Sequence, residues 1–290
     1  MVISEHADFV GPMLAAILGA QPVTLGFGPG HPTDWLDLAA DAVAPHYSAR
    51  GLRPSPRGGL YEGVYLDSCP PSLQAPRFPV PAKSWPIRPE AYRAPATSNW
   101  TAPDFGERAD KPLVLLTMGT IFGNAEVFSA ALAALCDTDV NVLVTAGPMP
   151  DPSTINADPS RVRAERFVPM DLVLDRCDLV VAHAGAGTML ATLARGVPLV
   201  LIPQATDQFI NAERAVAVGA GVSLVPTEFS IDSFRLAVQR VRRRPEYAAA
   251  ARRIRAEIEA MPTAQQVATA LARVRKARPR EAGSVSPRRS

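Results

Sequence analysis

This 290-residue sequence has three cysteines, a net charge of only +2 and no apolar run of membrane-spanning length. Cys69, Cys136 and Cys177 lie far apart without the spacing of metal ligands, so we expect reduced, buried thiols in a cytoplasmic protein. The small net charge gives no reason to expect nucleic acid or a membrane surface as a partner. The first thirty residues contain no Lys or Arg, so we expect no secretory signal peptide.

The sequence does contain enough apolar material for a sizeable core, because 47% of its residues are hydrophobic. The length suits two domains. Nine prolines between residues 70 and 103 exclude most regular structure there and indicate a linker. We therefore predict a partial N-terminal domain (1–75), a proline-rich linker (76–110), a C-terminal domain (111–276) and a disordered basic tail (277–290).

Strand-like and helix-like segments alternate along both predicted domains. In the C-terminal domain the strand-like runs are continuously apolar, which is typical of strands buried on both faces of a parallel sheet. We predict an α/β fold with two Rossmann-like, doubly wound parallel sheets, the N-terminal one incomplete. The predicted strands are 1–4, 22–25, 63–66, 113–117, 141–145, 164–168, 179–183, 198–202 and 221–225; the predicted helices include 11–18, 34–44 and those within 231–276.

The segment 178–208 is predicted to form one βαβ unit. Its first strand ends at His183, and a turn containing Gly185 and Gly187 leads into the helix. Glycines let the backbone approach a ligand closely, and the N-terminus of a helix binds anions. The turn matches neither the Walker A loop nor the usual G-x-G-x-x-G pattern. A plain tight turn with Thr188 as its cap is the alternative interpretation.

Several polar or glycine-rich clusters follow predicted strands, at the sheet edge where ligands of open parallel sheets bind. Their convergence predicts a ligand crevice. Asp207 is also a candidate helix N-cap, because Asn211 and Glu213 follow in a helical first turn. The clusters are 118–120, His183, 185–188, Gln204 and 207–208.

Together these motifs resemble the donor-binding signature of the GT-B nucleotide-sugar glycosyltransferases. The nearest group is the bacterial family 1 enzymes that glycosylate macrolides and other natural products, which are related to the UDP-glucuronosyltransferases. The resemblance covers most of residues 111–270 and is weaker upstream, and it departs at Ala184, where Gly is usual, and at Met189, where a second Thr is common. The motifs that carry it are His183-Ala-Gly-Ala-Gly-Thr188, Gly196-Val-Pro198, Pro203-Gln204, Asp207-Gln208 and Asn211-Ala-Glu213.

The resemblance implies that this chain moves a sugar from a nucleotide-diphosphate donor to a hydroxyl of a lipophilic natural-product-type acceptor, with inversion and without a metal or cofactor. It implies that His183 stabilises charge on the leaving nucleotide. It also implies that Asp207 and Gln208 bind hydroxyls of the donor sugar. The implied donor-binding residues are Gly119, Thr120, Val168, His183, Gly185, Ala186, Gly187, Thr188, Gln204, Asp207 and Gln208.

The N-terminal part departs most from this group, whose members carry a general-base His after their first strand and a supporting acid further along. We expect the region that carries this His, about half of a normal N-terminal domain, to be absent from this sequence. Glu5 lies where the supporting acid is expected, whereas neighbouring His6 has no matching motif as a base. His31 and His46 have no motif around them and are predicted to lie on the surface.

Three functional hypotheses remain open at this point. The chain is a glycosyltransferase whose reading frame extends upstream, or a non-catalytic donor-binding half that needs a partner chain for the missing N-terminal half. The third is a GT-B epimerase that acts on the nucleotide sugar without any acceptor.

Overall fold

The fold is taken from a computed structural model that describes residues 1–91, 95, 100–119, 125–145, 147, 155 and 157–277, with side chains as far as residue 273. Thr120 and the predicted tail beyond residue 277 lie outside the described residues. Within the described part, no helix is long and apolar enough to cross a membrane. Cys69 and Cys177 are buried, Cys136 is half-buried, and all three are free thiols.

The N-terminal part forms a four-stranded parallel sheet in the order β1-β2-β3-β4. The strands β1 to β3 and both helices occur where the sequence predicts them, within a few residues. The fourth strand lies in the proline-rich segment, where we predicted little regular structure; its Pro86 is at an edge, where a missing N–H is tolerated. The elements are β1 (Val2–Glu5), α1 (Val10–Ile17), β2 (Pro22–Leu25), α2 (Thr33–Ser48), β3 (Val64–Asp67) and β4 (Ser84–Pro86).

The C-terminal part forms a six-stranded parallel sheet in the order β10-β9-β8-β5-β6-β7. The predicted α/β fold with two parallel sheets is therefore confirmed. The elements are β5 (Leu113–Thr117), α3 (Ala125–Cys136), β6 (Asn141–Thr145), β7 (Val162–Glu165), α4 (Met170–Val173), β8 (Leu179–Ala182), α5 (Ala186–Leu193), β9 (Leu199–Leu201), α6 (Gln208–Ala217), β10 (Gly221–Ser223), α7 (Ile231–Arg243), α8 (Pro245–Ala260) and α9 (Ala264–Ala277).

Helices cover both faces of the six-stranded sheet. Along β5, Leu113 and Leu115 belong to the core on one face, whereas Val114 and Leu116 belong to the core on the other. Successive side chains of a strand point to opposite faces, so both faces must be apolar when both are covered. This packing explains the continuous apolar runs in the sequence.

The strand order brings two loops together at the centre of this sheet. From β5 the chain adds β6 and β7 on one side and then returns to place β8 on the other. The last residues of the two central strands, Thr117 and Ala182, are partners in the register. The segments that follow them, beginning at Met118 and His183, therefore meet at a topological switch point, where ligands of such sheets bind.

The last helix, α9, packs against the N-terminal sheet. Its Val267 and Leu271 form a buried cluster with Val23, Val64 and Leu66 of that sheet. The two parts also touch beside α5, where a Cβ at Gly28 would lie 3.0 Å from the Cβ of Ala186. These contacts hold the N-terminal part over the switch point, while the domain boundaries given above remain a prediction.

Candidate active site

A cavity of about 370 Å³ opens at the carboxyl ends of β5 and β8. We call it the glycine cavity, because the backbone at Gly119, Gly147, Gly185 and Gly187 forms much of its wall. It brings together nine of the predicted donor-binding residues. Those nine are Gly119, Val168, His183, Gly185, Ala186, Gly187, Thr188, Asp207 and Gln208.

The imidazole of His183 lies between two of these glycines. A Cβ on Gly119 would be 2.7 Å from Nε2 of the ring, and a Cβ on Gly185 would overlap the same nitrogen. Gly119 also has a φ of +75°, which favours glycine. Both positions therefore need glycine to make room for the imidazole, a role that the sequence motif does not reveal. At Gly187, by contrast, a Cβ would meet nothing within 4 Å.

Burial lowers the pKa of His183, while the Asp207 carboxylate and the backbone carbonyl of Thr117 oppose that shift. Nδ1 of the ring is buried without a hydrogen-bond partner in the described part of the chain. The ring is therefore neutral at pH 7. A bound anion beside it would raise its pKa and favour the protonated form, which donates from both nitrogens.

The N-terminus of α5 presents free amides to the glycine cavity. The helix begins at Ala186, and its first intrahelical bond runs from the N–H of Met189 to the carbonyl of Gly185, at 3.0 Å. The N–H groups of Ala186, Gly187 and Thr188 have no acceptor among the described residues. Gly185 occupies the N-cap position and Thr188 is the third residue of the helix, so Thr188 is not its cap. Three free donors at a positive helix end form an anion site.

Asp207 is fixed by two neighbours and faces the cavity. Its Oδ1 accepts a hydrogen bond from Thr206 Oγ1 at 2.8 Å, and its Oδ2 accepts one from Asn211 Nδ2 at 2.8 Å. Asp207 occupies the N-cap position of α6, as the alternative interpretation expected, but its side chain makes no cap bond. Each carboxylate oxygen therefore keeps a free lone pair for a ligand hydroxyl.

Two non-glycine residues at the cavity have left-handed backbones. Ala184 has a φ of +66° and Thr206 a φ of +54°. The first is a backbone conformation that favours glycine, in line with the expectation that Gly is usual at position 184. The carbonyl of Ala184 accepts from Asn211 Nδ2 at 2.9 Å, so one side chain supports both the strained turn and Asp207. Such strain of about 1–3 kcal/mol per residue is found preferentially at functional sites.

Of the two glutamines predicted to bind the donor, Gln208 lines the glycine cavity and Gln204 does not. The amide of Gln204 folds back onto its own segment and donates to the carbonyls of Ile202, at 3.0 Å, and Pro203, so it does not line the cavity. The side-chain oxygen of Gln208 accepts from the N–H groups of Gln204 and Ala205. Gln208 therefore has its amide nitrogen left for a ligand. Roles for both residues in binding a sugar stay predictions.

Val168 lies on the opposite wall of the glycine cavity, just beyond β7. Its side chain is buried, while that of the adjacent Phe167 is 61% exposed. Both residues line the cavity together with Met170. This wall offers an apolar and aromatic surface for a flat group bound at a distance from α5.

A second cavity, of about 310 Å³, adjoins the first and is lined on the N-terminal side by aromatic rings. We call it the aromatic cavity; its rings are those of His6, Phe9, Phe27, His31 and Trp35. The prediction that His31 lies on the surface is wrong, because the loop after β2 turns it inward; His46 is exposed as predicted. Nothing in the local sequence around these rings indicates that they meet.

Glu5, at the carboxyl end of β1, lies behind this aromatic wall. It is half-buried, lines neither cavity, and its Oε2 is buried without a hydrogen-bond partner in the described part of the chain. In that same part, no group of three or more His, Cys, Asp or Glu side chains could hold a metal ion. The site as a whole offers fixed donors for an anion, a fixed carboxylate and an aromatic wall.

Comparisons with known proteins identify the family of this chain. Residues 129–274 match the family model "Erythromycin biosynthesis protein CIII-like, C-terminal domain". The chain is 32% identical over 216 residues to 4'-demethylrebeccamycin synthase of Lentzea aerocolonigenes, covering 71% of this chain and 50% of that protein. It is 30% identical to L-demethylnoviosyl transferase of Streptomyces niveus, covering 94% of this chain and 70% of that protein.

A solved structure of the spinosyn rhamnosyltransferase SpnG complexed with thymidine diphosphate superimposes with a TM-score of 0.77 and 27% identity, covering 94% of this chain and 72% of that one. The chain spans half the length of the first of these curated relatives. The resemblance read from the motifs is thereby confirmed. This chain belongs to the erythromycin biosynthesis protein CIII-like family of natural-product glycosyltransferases and has their GT-B fold.

Proposed function

We propose that this protein transfers a sugar from a nucleoside-diphosphate donor to a hydroxyl of a lipophilic natural-product-type acceptor, with inversion and without a metal. The observation that carries the proposal is the set of three free amides of α5 beside the His183 imidazole, at the glycine cavity. A diphosphate would accept from these donors and would draw a proton onto the ring. Charge that develops on the leaving diphosphate would then be stabilised without reorganisation.

The remaining walls suit the other parts of such a donor. The carboxylate of Asp207, held by Thr206 and Asn211, suits a pair of sugar hydroxyls. The apolar wall at Val168 and Phe167 suits a nucleobase. Because the SpnG structure contains thymidine diphosphate, we infer a deoxythymidine or uridine donor in preference to guanosine. An epimerase would use the same donor site, but no feature of the cavity favours it.

We expect dTDP or UDP to stabilise the protein more than GDP does, and Gly187→Ala to weaken that effect. A ligand at about 100 times its Kd adds roughly 2.7 kcal/mol to the free energy of unfolding. At Gly187 a Cβ clashes with no protein atom, so alanine there raises the melting temperature of the unliganded protein by improving helix propensity. The same Cβ would stand between the helix amides and a diphosphate.

The measurement is a thermal-shift titration of both proteins with each nucleotide. The diphosphate site is supported if Gly187→Ala raises the melting temperature of the unliganded protein but removes the increase in melting temperature that dTDP causes. If no nucleoside diphosphate stabilises the wild-type protein, or if the variant binds as tightly as the wild type, then the proposed site on α5 is wrong.

We further propose that a partner chain covers the open edge of β1 and the exposed side of α1 next to it. In the described part of the chain β1 pairs with β2 alone, so its other edge is open. Beside that edge Ile3, Val10 and Leu18 are 57%, 68% and 64% exposed. An open strand edge next to an apolar patch is a typical protein-interaction surface.

Without its partner, the wild-type protein should therefore self-associate through this face, and Val10→Lys with Leu18→Lys should give a monomer. Light scattering coupled to size-exclusion chromatography over a range of protein concentrations measures both. A wild-type protein that stays monomeric at high concentration would argue against an interaction surface here.

A further inference from the structure

The aromatic cavity lies directly against the glycine cavity. Phe27, Thr206 and Asp207 line both, so a molecule in one cavity is separated from a molecule in the other by these side chains alone. If the proposed function holds, the sugar of the donor lies against Asp207. A hydroxylated molecule in the aromatic cavity would then present its oxygen close to the sugar.

His31 is held in a fixed orientation in the wall of the aromatic cavity. The centroid of its ring lies 4.4 Å from that of the His6 ring and 5.7 Å from that of the Trp35 ring. The His31 and Trp35 rings are stacked, with an angle of 27° between their planes. The loop that carries it is anchored, because the N–H of Gly30 donates to Gln74 Oε1 at 2.7 Å. Nδ1 of His31 is buried without a partner among the described residues, which leaves Nε2 as the nitrogen that can meet a ligand.

The charged and titratable groups that act on His31 come from two parts of the chain. Glu5 ends β1, His6 follows it, and Asp207 lies across the cavity in the C-terminal part. Burial lowers the pKa of His31, and the carboxylates of Asp207 and Glu5 counteract this. The ring is therefore neutral at pH 7, yet two carboxylates would stabilise the imidazolium that forms when it takes a proton.

His6 is less suited to the same role. It is only 2% exposed, and burial and the neighbouring His31 lower its pKa to about 4. An imidazole with so low a pKa is a weak general base for an alcohol, because general-base catalysis is most efficient when the pKa lies near the working pH. Glu5 lines neither cavity and makes no hydrogen bond to His31 among the described residues, so its effect on that ring is that of a nearby carboxylate.

We propose that His31 is the general base of this chain. The proposal rests on the proposed function. Nε2 takes the proton from the acceptor hydroxyl while the acceptor oxygen bonds to the anomeric carbon, and the bond from that carbon to the diphosphate breaks with its electron pair leaving on the diphosphate. The aromatic cavity holds the rest of the acceptor.

The test compares two acceptors that differ in how much they need a base. Transfer from dTDP-glucose and UDP-glucose is measured to 4-nitrobenzyl alcohol and to 4-nitrophenol, at a pH where the phenol is already ionised. His31→Gln and His31→Phe should lower transfer to the alcohol by roughly 10²–10³-fold and transfer to the phenolate by less than about threefold. A residue that merely shapes the cavity would affect both acceptors alike.

The exposed His46→Gln is the matched control and should change neither rate. Glu5→Gln should lower transfer to the alcohol by less than the His31 variants do. Binding of dTDP, measured by thermal shift, shows that each variant is folded and has its donor site. Equal losses for both acceptors, or a wild-type protein that binds dTDP but transfers to neither, would overturn the role of His31. Failure to bind any nucleoside diphosphate would overturn the proposed function itself.

Discussion

Replacing His183 by alanine is expected to lower kcat for sugar transfer by about 10²–10³-fold, the usual cost of losing one donor to charge that develops in the transition state. The imidazole lies between Gly119 and Gly185 at the switch point, next to the free amides of α5. His183→Gln, which keeps an N–H donor at a similar reach, should recover part of the loss. Steady-state kinetics with a saturating donor measure the effect.

The packing of this ring allows a sharper test. A Cβ on Gly185 would overlap Nε2, so Gly185→Ala alone should displace the imidazole and reproduce much of the loss. In the His183→Ala background the clash is gone, and adding Gly185→Ala should cost little more. Residues that act as one unit show this non-additivity. Additive losses in the double variant would mean that Gly185 contacts the donor itself rather than making room for the ring.

Acidification is expected to destabilise the protein by up to about 3 kcal/mol through His6 alone, because one pKa unit corresponds to about 1.4 kcal/mol. Burial, followed by the nearby His31, lowers the pKa of His6 from 6.5 to about 4. Below pH 6.5 the unfolded chain takes up this proton while the folded protein does not. Stability is therefore lost as the pH falls from about 6.5 to about 4.

Urea unfolding at a series of pH values between 7 and 4 measures this loss. His6→Phe keeps a ring beside Phe27 and His31 but cannot titrate, so its stability should fall less with pH. Because burial also lowers the pKa values of His31 and His183, part of the acid sensitivity should persist in that variant. His46→Phe, changed at an exposed position, should behave like the wild type. If His6→Phe has the wild-type pH dependence, the shift assigned to His6 is wrong.

The fold was largely predictable because its strands carry a strong local signal. β5 and β6 occur at the predicted residues, since continuously apolar runs bounded by turns leave little choice of element. β4 was not predicted, because prolines argue against strands. It exists because β3 offers it an edge, and the N–H group that its one proline, Pro86, lacks is not needed in the ladder.

The glycine cavity was predictable to a similar degree, since its residues follow strands that end at one sheet edge. The requirement for glycine at positions 119 and 185 was not predictable. Gly119 and Gly185 lie in loops far apart in sequence, and their need for space arises only when β5 and β8 pair around His183. The aromatic cavity was not predicted, because His6 follows β1 whereas His31 and Trp35 follow β2, and the two groups of rings meet only when these strands pair.

The return of α9 to the N-terminal sheet has a consequence for exchanging parts between relatives. Val267 and Leu271 complete the core around Val23, Val64 and Leu66, although they follow the whole C-terminal sheet in the chain. A hybrid joined at a single point between β4 and β5 would bring in a foreign last helix and mismatch this cluster. Exchanging the C-terminal sheet for that of a relative therefore requires two junctions, one before β5 and one between α8 and α9.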